Sequence, residues 1–124
     1  MSAASVNLKV EQGADFYRKL TIKDSDGLPI DLTDNEFRGH IRKNASDETI
    51  MAAFTFSMLD QSSHRGQVEM KLSASETSQL PAAKQTTAKR IIRELAYDVE
   101  RVSADGSVER LMEGCILLSP EVTK

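Results

Sequence analysis

The side chains able to do chemistry in this sequence are few and scattered. It holds one cysteine and two histidines. Cys115 opens an apolar run, Cys115-Ile116-Leu117-Leu118, and has no resolving cysteine. A nucleophilic thiol needs a neighbouring base and an electropositive pocket, and neither can be read here, so Cys115 is expected to act as a small buried hydrophobe. His40 and His64 fall in different segments with no cysteine or histidine at ligand spacing, so a zinc site would have to draw on scattered carboxylates. Both are expected as solvated or hydrogen-bonded surface residues. Asp24, Asp26 and Gly27 resemble the opening of a calcium loop, but Leu28 and Asn35 stand where such a loop needs an oxygen ligand at its fifth position and a glutamate at its twelfth. Side chains that bond their own backbone, followed by a glycine, make a tight turn instead. Serines are plentiful, yet there is no Gly-x-Ser-x-Gly elbow and no glycine-rich phosphate loop. No catalytic, cofactor-binding or metal-ligating residue is assigned, and no enzyme activity is expected.

Charge removes further classes of function. Lysine and arginine number 16 against 19 acids, a net charge of -3 on 124 residues, so no overall positive field gathers nucleic acid or anionic lipid. Two local basic stripes stand out: Arg38, His40, Arg42 and Lys43, and then Lys84, Lys89, Arg90 and Arg93. The chain has four phenylalanines, two tyrosines and no tryptophan, too few rings interleaved with these cations to stack single-stranded bases. A solvated face or an acidic protein partner suits the stripes better. Asn44-Ala45-Ser46 would be a glycosylation sequon only in a secreted eukaryotic protein. No apolar run approaches the roughly 18 residues of a membrane-spanning helix. The first residues, Met1 to Ser5, lack the basic and apolar regions of a secretory signal, so folding in a reducing cytoplasm is the expectation.

A chain of this length with 40% apolar and 28% charged residues should form one domain over 1-124 around a single core. Its apolar residues recur mostly with period two in short segments set off by turn residues, which is how an antiparallel all-β domain is written. Val6, Leu8 and Val10 mark a first strand. Asp15 to Lys23 is a second, with Phe16, Leu20 and Ile22 inward, Tyr17 outward, and Arg18 out of place on the apolar side, where it must snorkel or lie at an edge. Pro29 confines residues 28-32 to an edge or a covering loop. Phe37, Gly39 and Ile41 mark a half-exposed strand; Ala52, Phe54, Phe56 and Met58 another; Val68, Met70 and Leu72 the return arm of a hairpin. Ser73-Ala74-Ser75-Glu76 is a capping box, and Pro81 limits the helix it starts to about two turns, placing Ala74, Thr77 and Leu80 as a lid. Residues 82-90 read as a surface excursion. Arg93 to Val102 and Val108 to Leu118 then form the clearest hairpin, the continuous apolar run at its end reading as a central strand covered on both sides. Seven or so strands and one helix suggest a two-sheet sandwich of immunoglobulin-like size, and a small barrel would carry the same pattern.

Seven pieces, in order, also resemble a known family: Glu11-Gln12-Gly13-Ala14-Asp15-Phe16, Lys23-Asp24-Ser25-Asp26-Gly27, Ile30-Asp31-Leu32-Thr33, Gly66-Gln67-Val68, Leu72-Ser73-Ala74 to Leu80-Pro81, Tyr97-Asp98-Val99-Glu100, and Leu111-Met112-Glu113-Gly114 to Ser119-Pro120-Glu121-Val122-Thr123. They are similar to small virion proteins of tailed bacteriophages, in particular the immunoglobulin-like N-terminal domain of phage baseplate upper proteins. The resemblance implies an immunoglobulin-like antiparallel β-sandwich that attaches receptor-binding or fibre components to the tail. Two departures stand beside it: residues 82-90 replace a brief glycine-containing link, and no fibre-forming or receptor-binding segment follows Lys124. A stand-alone structural adaptor of the tail, baseplate or fibre attachment site is the resulting expectation. Its partners would be other virion proteins, contacted in several copies through strand edges and the short extended termini, Met1 to Ser5 and Ser119 to Lys124. It would be located in the virion after synthesis in the host cytoplasm, with no cofactor, nucleic acid, membrane or small-molecule substrate. The alternatives are a head decoration protein and a free-standing carbohydrate- or receptor-binding β module. The latter needs an exposed aromatic platform, for which Tyr17 is the one outward ring.

Overall fold

A computed structural model describes residues 3-123. Met1, Ser2 and Lys124 lie outside them; of the termini expected to be extended, Ala4 and Ser5 are instead paired with the last strand and Ser119 closes it. The strands in chain order are β1 (Ala4–Ser5), β2 (Leu8–Glu11), β3 (Phe16–Thr21), β4 (Glu36–Arg42), β5 (Ala52–Ala53), β6 (Thr55–Met58) and β7 (Gln67–Leu72); after the helix α1 (Ala74–Ser78) come β8 (Arg93–Val102) and β9 (Val108–Ser119). The chain is all-β, and its sheets form a sandwich: a six-stranded layer in the order β1-β9-β8-β4-β5, with β2 also on β9, and a three-stranded layer β3-β7-β6. Seven strands have four residues or more; β5 is a two-residue piece of an expected longer run, and β1 is a two-residue strand in a segment expected as an extended terminus. No helix among the described residues is long and apolar enough to cross a membrane.

The period-two reading holds because alternate side chains on a strand point to opposite faces. Leu95, Tyr97 and Val99 of β8, Ile116 and Leu118 of β9, Leu8 and Val10 of β2, and Met70 and Leu72 of β7 meet in one buried cluster. A smaller cluster of Ile22, Leu32 and Val68 shares Leu20, Phe56 and Leu111 with it. The capping box forms as expected: Ser73 Oγ accepts from the Glu76 amide and Glu76 Oε1 from the Ser73 amide. The short helix and the turn that ends it lay Thr77 and Leu80 over the core.

Four details differ from the expectation. β1 and β2 run parallel to β9 at a constant offset, Ala4 against Met112 and Leu8 against Ile116, so the antiparallel pattern fails at this one border. The rest of the chain lies between these strands and supplies the long crossover a parallel pair needs. The expected strand through Ala52 and Met58 is divided at Phe54: β5 pairs with β4 in one layer and β6 with β7 in the other. Met58, expected inward, lies at the free end of an edge strand and is 45% exposed. Finally, β9 is paired along both borders, but only one of its faces is covered. Ile116 and Leu118 are buried while Cys115 and Leu117 stay half-exposed on the outer face, so Cys115 is not the buried hydrophobe expected.

Phe54 makes the passage between layers possible. Its amide donates to Gly39 O at 2.9 Å, and its ring lies over Gly39 so closely that a Cβ there would come within 2.9 Å of Phe54 Cδ2. Ring centroids of Phe16, Phe56 and Tyr97 stand 6.1, 6.5 and 6.1 Å from that of Phe54, within the range of favourable tilted and edge-to-face contact. Phe54→Ala is expected to cost about 3–5 kcal/mol by opening a cavity at this junction, and Gly39→Ala about 1–3 kcal/mol by overpacking. Urea denaturation measures both.

Candidate protein-binding faces and edges

The outer face of the six-stranded layer collects the first basic stripe, His40 included, and Cys115. Arg38, His40 and Arg42 alternate along β4, so the first basic stripe is real as a row of side chains. The register sets acids beside it: Glu100 lies opposite Arg38 and Asp98 opposite His40. Arg38 Nε donates to Glu100 Oε1 at 2.7 Å, and Arg42 Nη1 donates to the carbonyls of Asp47 and Glu48 at 3.2 and 2.6 Å. Across the strand beyond, Arg110 lies 3.6 Å from Asp98 and 3.8 Å from Glu113. The stripe is therefore locally compensated.

Between these rows, Ala96, Gly114 and Cys115 floor a shallow concavity of about 430 Å³ walled by His40, Arg42 and Arg110. It does not assemble a nucleophile and base. Cys115 on β9 and His40 on β4 are separated by β8, two strand spacings or about 10 Å, and no hydrogen bond joins them among the described residues. Among those residues no three His, Cys, Asp or Glu side chains cluster as a metal site. His64 sits instead in the exposed loop between β6 and β7, where its Nδ1 meets Ser63 Oγ at 2.9 Å. The nearby Asp60 Oδ1 is occupied by the amide and hydroxyl of Ser62, so this histidine belongs to the turn. Asp24 likewise spends Oδ1 on the amides of Asp26 and Leu28, which supports the turn reading over the calcium loop. Lys84, Lys89 and Arg90 of the second basic stripe lie along the exposed excursion after Pro81, where Arg90 Nε donates to Pro120 O, and Arg93 opens β8.

One polar group in the core was not signalled by period or motif. Tyr97 crosses the interior, and its hydroxyl donates to Val6 O at 2.6 Å. This bond lies where β1 gives way to β2. There the Cys115 amide donates to Asn7 Oδ1 in place of a backbone carbonyl. Opposite, Gly114 has φ 154° and lies so close to the incoming chain that a Cβ would meet Val6 O. Burial pushes the Tyr97 hydroxyl up from 10.0 to about 12, against a smaller pull from the Arg18 charge. A second buried polar contact is Arg101 Nη1 donating to Asn35 Oδ1 at 2.7 Å. Tyr17, the outward ring, is 54% exposed, but its hydroxyl is held by Glu69 Oε1 at 2.9 Å, which lowers the Glu69 carboxyl and raises the Tyr17 phenol.

The borders of the layers are the remaining accessible feature. β3 and β6 terminate the small layer. Beside β3 an open seam of about 340 Å³ separates Ala4 and Val6 of the large layer from Lys19 and Leu20, over Leu111 and Met112. No protein-family model matches this sequence, and a search of curated proteins finds no relative.

Tyr97→Phe is expected to cost about 1 kcal/mol by losing the bond to Val6. The folded protein keeps the phenol proton between pH 10 and about 12 while the unfolded chain releases it, so stability should fall as pH rises through that window. In Tyr97→Phe this contribution to the slope should vanish, as measured by denaturation at pH 8 to 12.

Proposed function

We propose that this chain is a structural component of a bacteriophage virion, an adaptor at the tail, baseplate or fibre attachment site that works through protein-protein contacts. The proposal rests first on the resemblance of its ordered sequence pieces to phage baseplate proteins, and the all-β sandwich is compatible with that likeness. The observation that carries the assembly role is the border of β3 that meets no strand among the described residues, beside an open seam with an apolar floor, because exposed strand edges are templates for pairing with another chain. The faces support it by contrast. Their ions are largely matched to one another, and four phenylalanines and Tyr97 point their rings into the core, leaving Tyr17 alone and already hydrogen-bonded. A sugar-binding platform built on stacked rings has little to stand on. The mechanism is passive: a preformed rigid module offers edges, and each residue of a neighbour that orders against it costs about 1–2 kcal/mol.

Mass spectrometry of purified particles should recover this chain as a stoichiometric component retained after salt washing. Its absence from particles, with the protein found only in the soluble fraction, would overturn the placement.

A further inference from the structure

We infer that the free border of β3 accepts an acidic extended segment of another protein as an added strand, with Arg18 selecting it. This rests on the reading above that the chain assembles through strand edges, and it names the edge and the chemistry of its partner.

The small layer has three strands against the other's six, so the large layer overhangs it. β3 pairs through all six of its residues with β7, from Phe16 against Leu72 to Thr21 against Gln67, without a bulge. Its other border meets no strand among those described, and it contains no proline to interrupt pairing. The seam alongside has an apolar floor, Leu111 and Met112, and an apolar wall at Val6. A fourth strand on β3 would lie over this seam and close it.

Charge decides which strand fits. Arg18, Lys19 and Lys23 border the seam, and Glu109 is its one carboxylate, standing 3.8 Å from Arg101 Nε. Neither Arg18 nor Lys23 makes an ion pair among the described residues, and Lys19 lies opposite Glu69. Arg18 belongs to the inward set of β3, between Phe16 and Leu20. A charge in that place is a known guard against indiscriminate edge pairing. The guard works by desolvation: a neutral strand covering Arg18 would bury an uncompensated cation, whereas a carboxylate opposite it forms a cross-strand pair. Phe16 and Leu20 flank Arg18 on the same face, and Lys19 presents its charge on the other. An antiparallel partner therefore reads apolar, acidic, acidic, any residue, apolar, its members facing Leu20, Lys19, Arg18, Tyr17 and Phe16 in turn. The same cations make encounter faster and salt-sensitive.

The probe is a short capped peptide, Thr-Val-Glu-Glu-Thr-Val-Thr, titrated into the full chain and followed by amide NMR, with a matched peptide carrying lysines for the glutamates. Saturable shifts should centre on Phe16–Thr21 and the seam residues Ala4, Val6 and Leu111, and weaken with added salt. Arg18→Gln should weaken binding by up to about fivefold, and Arg18→Glu should weaken it further by adding repulsion, with Arg18→Glu gaining affinity for the lysine peptide. Arg18 is exposed on β3, and a thermal melt matching that of the unaltered chain is the control that each variant folds. Absence of shifts with the acidic peptide, equal response to both peptides, or shifts centred on another edge would overturn the inference. Peptide binding by a chain that particles lack would remove the virion placement and keep the edge. Particles containing a chain that ignores the peptide would do the reverse.

Discussion

The passage of one backbone segment from the larger layer to the smaller is the constraint on which the rest depends. At Phe54 the chain stops pairing with β4 and starts pairing with β7, and a bulky ring fills the corner so created. A Cβ at position 39 would press on it at 2.9 Å, so glycine there spares a shift of the ring. From this ring, contacts extend to Phe16 on β3, Phe56 on β6 and Tyr97 on β8, so strands of both layers are referenced to one group of rings. Since the interior is packed at crystal-like density, changes there are felt throughout.

The opposite border of the large layer is closed by a different device. The N-terminal strand joins β9 in parallel and drives Leu8 and Val10 into the core, while Tyr97 reaches across to hold Val6. Asn7 substitutes its side-chain carbonyl where the ladder is interrupted, and Gly114 admits the close approach. Gln12 then ties the end of this strand to two distant segments, donating to Leu80 O and accepting from the Glu121 amide. Completing the large layer in this way without lengthening the small one leaves β3 bare and the seam beside it open. The edge is thus a consequence of how the core is closed.

Much of this was legible in the sequence because it follows from local periodicity and turn chemistry. Val68-x-Met70-x-Leu72, the Ser73 capping box and the Asp24 turn each carry their instruction within a few residues, and Arg18, by breaking an apolar face, left snorkelling or an edge position as its two options, of which the structure shows the edge. What could not be read depends on partners far along the chain. Nothing near Phe54 tells that its strand changes layers, since Ala52, Phe54, Phe56 and Met58 keep period two throughout. Whether β2 pairs parallel or antiparallel is set by β9, more than a hundred residues on. Cys115 looked buried because it opens a continuous apolar run; the half-exposed outer face of β9 follows from there being no third layer over it among the described residues. The candidate faces were blurred for the same reason: Arg38, His40 and Arg42 read as a basic stripe until the register brought Glu100 and Asp98 beside them.

Native-state hydrogen exchange of the free chain tests the central claim, that one ring-centred core leaves the border of β3 open. The slowest amides should cluster in β4, β7, β8 and β9 around Phe54 and Tyr97 and open together in a single cooperative unit. Those of β3 that do not bond to β7 should exchange quickly. Protection of every β3 amide equal to that of β8, or separate opening of the two layers, would contradict it.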